Sequence, residues 1–231
     1  RFEGGRSRVI TLGGYAYPYI QPEVLERALP FMTSLTIFVY GFTEEGELIA
    51  IDDQALINAA YRYQAAPIFL LSSITEDGTF STQRASLLFN SPALQSRVID
   101  NMLETMTRKG YLGVDIDFEF IESSDAEGYL GFLRNVTQRM HEYGFTVNVD
   151  LAPKVSADQP GLLYEAHDYA AIGAIADTVF LMTYEWGYTY GPPMAVAPID
   201  KVRQVAQYAV SEIPPEKILL GLPNYGYDWP L

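Results

Sequence analysis

Cysteine is missing altogether from these 231 residues, which excludes a disulfide framework and thiolate catalysis. Histidine occurs twice, as His141 and His167, each alone on an expected helix. No metal or triad arrangement includes them, and both read as surface residues. Cations are scarce. Lys and Arg number 15 against 29 Asp and Glu, a formal charge of −14. That balance argues against nucleic acid or an anionic membrane as partner and leaves a neutral or cationic polymer open. No apolar run approaches the roughly 20 residues of a membrane span, so no membrane insertion is expected. No glycine-rich phosphate loop follows the first apolar run, and Ser72-Ser73 has no nucleophile elbow around it. No signal peptide is visible, but the chain opens on Arg1 and not Met, so a fragment of a longer protein is expected.

What is present is apolar and aromatic. Hydrophobic residues make up 48% and charged residues 19%, the balance of a globular chain. The length suits one domain over 1–231. Residues 9–15, 34–40, 67–73, 111–119, 145–151, 178–184 and 217–222 read as strands. Residues 22–29, 52–63, 91–109, 124–143, 162–175 and 199–211 read as helices. Asp52 or Asp53 is the expected cap of the second helix, while Gly110 and Gly144 close the third and fourth. This alternation predicts parallel βα units. About seven of them point to an α/β fold of the (β/α)8 TIM-barrel type over a doubly wound sheet. The eighth βα unit is not in the sequence, and truncation is the expected reason.

One strand differs from the rest. In Leu112-Gly113-Val114-Asp115-Ile116-Asp117-Phe118-Glu119 the side chains alternate. Asp115, Asp117 and Glu119 therefore share one face, expected to line the barrel, and Leu112, Val114, Ile116 and Phe118 share the face expected against helices. Three acids at i, i+2 and i+4 raise one another's pKa, so that at least one holds a proton near neutral pH. A glycosidase needs that state to protonate a leaving-group oxygen. Glu119 is the candidate general acid, with Asp115 and Asp117 as a coupled, proton-sharing pair. The rival readings are a salt-bridged strand-end acid, a structural Asp pair, and a hard-cation site built from oxygen ligands. Tyr15, Trp186, Tyr188, Tyr190, Tyr225, Tyr227 and Trp229 fall at expected strand tops or loops. Their rings there suit stacking on sugars or packing at the rim.

The acidic run resembles the Asp-Gly-x-Asp-x-Asp-x-Glu signature of glycoside hydrolase family 18, the chitinase-like enzymes, with Leu112 for the first Asp. Met182-Thr183-Tyr184-Glu185 resembles the Met-x-Tyr-Asp of that family, with Glu185 for Asp. Ala152-Pro153-Lys154, Met182 to Gly187 and Tyr225-Gly226-Tyr227-Asp228-Trp229 resemble the branch that holds spore cortex-lytic N-acetylglucosaminidases and sporulation-specific glycosylases. Ser72-Ser73-Ile74-Thr75 and Tyr225-Gly226-Tyr227 depart from the chitinase pattern, which turns the expected substrate from chitin toward peptidoglycan.

The resemblance implies substrate-assisted retaining cleavage after N-acetylglucosamine, without cofactor or metal. It implies catalytic roles for Glu119, Asp117, Asp115 and Tyr184, and substrate contacts from Tyr15, Met182, Glu185, Trp186 and Tyr225. A monomer acting on peptidoglycan or another N-acetylglucosamine-containing glycan, outside the cytoplasm at the spore or cell wall, is the matching expectation. A chitinase acting on chitooligosaccharides, a non-catalytic chitinase-like lectin and a metal-dependent barrel hydrolase are the competing classes.

Overall fold

The computed structural model describes residues 10–229. Seven parallel strands form one curled sheet: β1 (Gly13–Ala16), β2 (Ser34–Phe42), β4 (Ala66–Ser72), β5 (Gly113–Asp117), β6 (Thr146–Leu151), β7 (Thr178–Leu181) and β8 (Ile218–Leu220). They pair in that order, while a short strand β3 (Leu48–Ile49) runs antiparallel to β2. Among the described residues no pairing joins β1 to β8, so the expected barrel is present as an open one.

Helices cover the outer face: α1 (Pro22–Ala28), α2 (Gln54–Arg62), α3 (Thr82–Phe89), α4 (Pro92–Lys109), α5 (Ala126–Glu142), α6 (Tyr169–Ile175) and α7 (Ile199–Glu212). Helix α4 follows its sequence signals closely. The Ser91 side chain accepts from the Leu94 N–H, Pro92 opens the first turn, and Gly110 ends the helix at φ 87°, where a Cβ would be strained.

The sheet and helices meet in an aromatic layer. Phe118 lies 5.3 Å from Phe89, 6.2 Å from Tyr129 and 5.8 Å from Phe132, ring centroid to centroid. Val114, Ile116 and Phe118 are all buried there, so strand parity places the acids on the opposite face, inside the curl. Truncating Phe118 to Ala costs about 3–5 kcal/mol, the usual loss for a buried aromatic ring.

Several expectations need correction. Leu112 does not pack against helices; it precedes β5 and is 48% exposed. The first strand begins at Gly13, and Ile10 and Leu12 are exposed, because the glycines lie inside the strand and do not stop it. Residue 9 of that run lies outside the described residues. The expected helix 162–175 starts at Tyr169, since Gly161 at φ 125° and turns through residue 166 hold the chain off helical geometry. Helix α3 lies in what reads as a polar loop, with the Ser81 side chain accepting from the Arg84 N–H. Asp53 precedes α2 as expected but caps nothing. Its carboxylate accepts instead from Tyr40, Tyr111 and Lys109, each at 2.5 Å.

Candidate active site

The C-terminal ends of the strands open onto a cavity of about 420 Å³. Asp117 from β5, Asp150 from β6 and Tyr15 from β1 form its inner part. Glu119, two residues beyond β5, stands at its wall with Tyr184 and Glu185, which follow β7. Met182, Trp186 and Tyr225 line the same space, so of the predicted set Asp115 alone is not part of its lining. Gly221 makes room beside them, since a Cβ there would meet the Leu181 carbonyl oxygen at 2.5 Å and the Tyr184 ring at 2.8 Å. Tyr188 and Tyr190 do not line the cavity, and Tyr190 is 90% exposed.

Beneath the cavity the acids are tied together. The Tyr15 hydroxyl lies 2.7 Å from Asp115 Oδ2 and 3.1 Å from Asp150 Oδ1. The Asn148 amide donates to Asp115 Oδ1 at 2.6 Å and to Asp150 Oδ1 at 3.1 Å, and is itself oriented by Thr178 Oγ1 at 2.8 Å. Asp115 therefore shares both donors with Asp150, an acid outside the expected set. Asp150 was overlooked because residues 145–151 were read for hydrophobicity alone. Its parity with Asn148 and its place at the strand end were the available signals. The Tyr15 hydroxyl is occupied by the acids, so the platform role expected for this residue is left to its ring.

Burial dominates the electrostatics. Asp117 is pushed well above the ordinary carboxylate range by desolvation, then further by the charges of Glu119 and Asp115. Asp150 is pushed well up by desolvation and by Asp115 and Asp117. Asp115 is raised by desolvation, against the lowering effect of its hydrogen bonds from Tyr15 and Asn148. Glu119 is raised by desolvation and by the Glu185 charge. Desolvation also raises Tyr184, with Asp150 and Asp117 adding to it. An acid whose pKa is raised, at the wall of a partly enclosed cavity, is equipped for proton donation.

One carboxylate oxygen of these acids is left over. Asp117 Oδ1 is buried and has no hydrogen-bond partner among the described residues, a costly state unless something else supplies a donor. Glu185 sits at φ 67°, an uncommon conformation for a non-glycine residue. Its carboxylate accepts from Tyr225 at 2.5 Å and Tyr227 at 2.8 Å. Among the described residues no group of three or more Asp, Glu or His side chains has the spacing of a metal cage. No described helix is long and apolar enough to cross a membrane.

Residues 17–231 match the glycosyl hydrolases family 18. The chain belongs to that family. A cortical fragment-lytic enzyme of Bacillus cereus is 39% identical over 224 residues, covering 92% of this chain and 52% of the relative. The enzyme of the same name from Bacillus subtilis (strain 168) is 38% identical over 209 residues, covering 90% and 48%. The chain thus spans about half the length of the curated relatives it matches. Among solved structures, the Bacillus cereus spore cortex-lytic enzyme SleL superposes with a TM-score of 0.92 at 37% identity, covering 98% of this chain and 54% of that one. A chitinase from Chromobacterium violaceum reaches a TM-score of 0.87 at 23% identity, covering 95% and 70%, which speaks for a common fold alone.

Of the histidines in this family 18 chain, His141 is a surface residue beside Asp177, at 2.9 Å. His167 is not. It is buried to 1% exposure, and desolvation lowers its pKa to about 4. The sequence reading failed there because the surrounding helix was placed seven residues too early.

Proposed function

We propose that this chain carries a glycosidase that cleaves β-1,4 bonds after N-acetylglucosamine in bacterial spore cortex peptidoglycan, by substrate-assisted retention. The observation that carries the reading is the unpartnered, buried Asp117 Oδ1 beneath the cavity, next in parity to Glu119 at its wall. An N-acetyl group entering the cavity supplies the missing donor, its amide N–H. Held that way, the acetamido carbonyl oxygen turns toward the anomeric carbon.

The steps follow from these positions. The acetamido oxygen attacks the anomeric carbon while Glu119 gives its proton to the glycosidic oxygen, which leaves with the bonding pair. The resulting oxazolinium ion carries a positive charge that the Asp117 carboxylate offsets, while Tyr184 orients the acetamido oxygen. Water then attacks the anomeric carbon, Glu119 takes up its proton, and the acetamido group is released. Asp115 and Asp150, holding Tyr15 and Asn148 between them, fix the floor against which Asp117 works. Trp186 and Tyr225 offer apolar ring area to sugar faces at the rim.

The names of the relatives, cortical fragment-lytic and spore cortex-lytic enzymes, support cortex peptidoglycan as substrate and action outside the cytoplasm. A monomer is proposed with it, which gel filtration checks. Digestion of spore cortex by the protein, with mass analysis of new reducing ends, tests the specificity. N-acetylglucosamine at the new end is the expected product. Ends in N-acetylmuramic acid would overturn the bond assignment.

A further inference from the structure

We infer that His167, which no reaction step above uses, is a positioning residue that sets Glu119 by bridging the two strands where they splay. The ladder between β5 and β6 pairs directly through Ile116 and Val149. Beyond that point no ladder pairing joins them among the described residues, and Glu119 after one strand and Pro153 after the other line the cavity. The imidazole occupies the gap. Its Nδ1 lies 2.8 Å from the Ala152 N–H and accepts from it, and its Nε2 lies 3.0 Å from the Phe118 carbonyl oxygen. Phe118 C=O belongs to the peptide that leads directly into Glu119, so the ring holds the last fixed point before the proposed acid.

The tautomer follows from the partners. A ring nitrogen that accepts from a peptide N–H carries no proton, so Nδ1 is bare and Nε2–H donates to Phe118. The ring thereby supplies one acceptor and one donor where the ladder pairing has ended. Only the neutral form does both, and full burial keeps it neutral at pH 7.

Around the ring the loop from β6 to α6 is tied down in the same manner. Lys154 Nζ donates to the His167 carbonyl at 3.0 Å and to the Ala157 carbonyl at 3.1 Å. The Tyr169 hydroxyl donates to the Ala152 carbonyl at 2.5 Å and accepts from the Lys154 N–H at 3.0 Å. The loop so held contributes Pro153, Leu163 and Tyr164 to the cavity wall. His167 is therefore fixed from its backbone side and fixes the catalytic strand from its ring side.

This inference rests on reading Glu119 as the acid, and its test separates the two. The protein is assayed on soluble N-acetylglucosamine-containing oligosaccharides as wild type, His167→Ala and His167→Gln, with melts recorded alongside. Loss of the bridge is expected to shift Glu119 more than the wall residues, because Lys154 and Tyr169 still hold the loop. His167→Ala is expected to lose about 10²-fold in kcat, the usual effect of a catalytic group displaced by about 1 Å, with KM within threefold. His167→Gln keeps one donor and one acceptor and is expected to recover about tenfold of that loss. If His167→Ala does not fold, His167→Asn replaces it, with the same split expected. Unchanged kcat in the unbridged variant overturns the inference. So does a fall in kcat and rise in KM that track melting temperature in every variant, which is the mark of a structural role. Nitrogen-15 shifts of the imidazole report the bridge without any turnover, and a proton on Nδ1 at pH 7 would refute it. Wild-type protein that binds these glycans yet never cleaves them would instead remove the proposed function.

Discussion

The Tyr15 hydroxyl reaches Asp115 at 2.7 Å across 100 positions of chain. It lies 3.1 Å from Asp150 as well, so a single phenol from the first strand ties together acids from the fourth and fifth parallel strands of the curl. Tyr15→Phe keeps the ring and leaves both acids short of a donor. The expected cost is about 1–3 kcal/mol of stability, as for other buried acceptors left unpaired. A larger fall in kcat than in kcat-matched binding should accompany it, because Asp117 loses its fixed neighbours. Denaturant melts and steady-state kinetics check both. A variant at wild-type stability and rate would show that Asn148 alone holds the floor.

Asp117 gives a stability prediction with a definite sign. Its folded-state pKa lies well above the ordinary carboxylate value. Its contribution to stability is therefore fully present below about pH 3.9 and is lost as pH rises through the raised pKa. Asp117→Asn removes that loss. The variant is expected to gain on the wild type as pH rises from 4 to 8, while losing turnover. Melts of the two proteins across that range test it, and a variant that loses ground to the wild type as pH rises would contradict the burial-driven shift.

His167 acts in the opposite direction. With its pKa lowered to about 4 by burial from an unfolded value of about 6.5, the neutral ring contributes stability above the unfolded value. That contribution is lost as pH falls through 6.5 toward 4. The whole window corresponds to roughly 3 kcal/mol, with one proton taken up on unfolding. His167→Gln should flatten the acid side of the stability curve. An acid limb identical in wild type and variant would assign it to other groups.

Much of this was legible in the sequence, for a simple reason. Strand parity follows from backbone geometry alone, so the burial of Val114, Ile116 and Phe118 fixed the direction of Asp115 and Asp117. Helix α4, framed by Ser91, Pro92 and Gly110, was legible because its caps are local. What depends on distant partners was not. Nothing near Asp150 announces that Tyr15, 135 positions away, will converge on it. Nothing near His167 announces the splayed strand ends it fills. Helix α3 was hidden for a different reason, since its first turns carry Thr82, Gln83 and Arg84, and polar residues there read as loop.

Glu185 carries a charge that raises the pKa of Glu119, after burial the second cause of that shift. Glu185→Gln keeps an oxygen for the Tyr225 and Tyr227 hydroxyls and removes the charge. Glu119 should then release its proton at lower pH, moving the basic limb of the kcat/KM profile toward acid. A limb that stays in place would detach Glu185 from the acid.

The central claim is that Glu119 delivers the proton to the leaving oxygen. Its most direct measurement is turnover and glycan affinity of Glu119→Gln beside the wild type. Glutamine matches the size of the side chain but offers no acidic proton. A fall in kcat on the order of 10²–10⁴-fold is expected, with affinity for N-acetylglucosamine oligosaccharides nearly unchanged. A variant that turns over at close to the wild-type rate would contradict it.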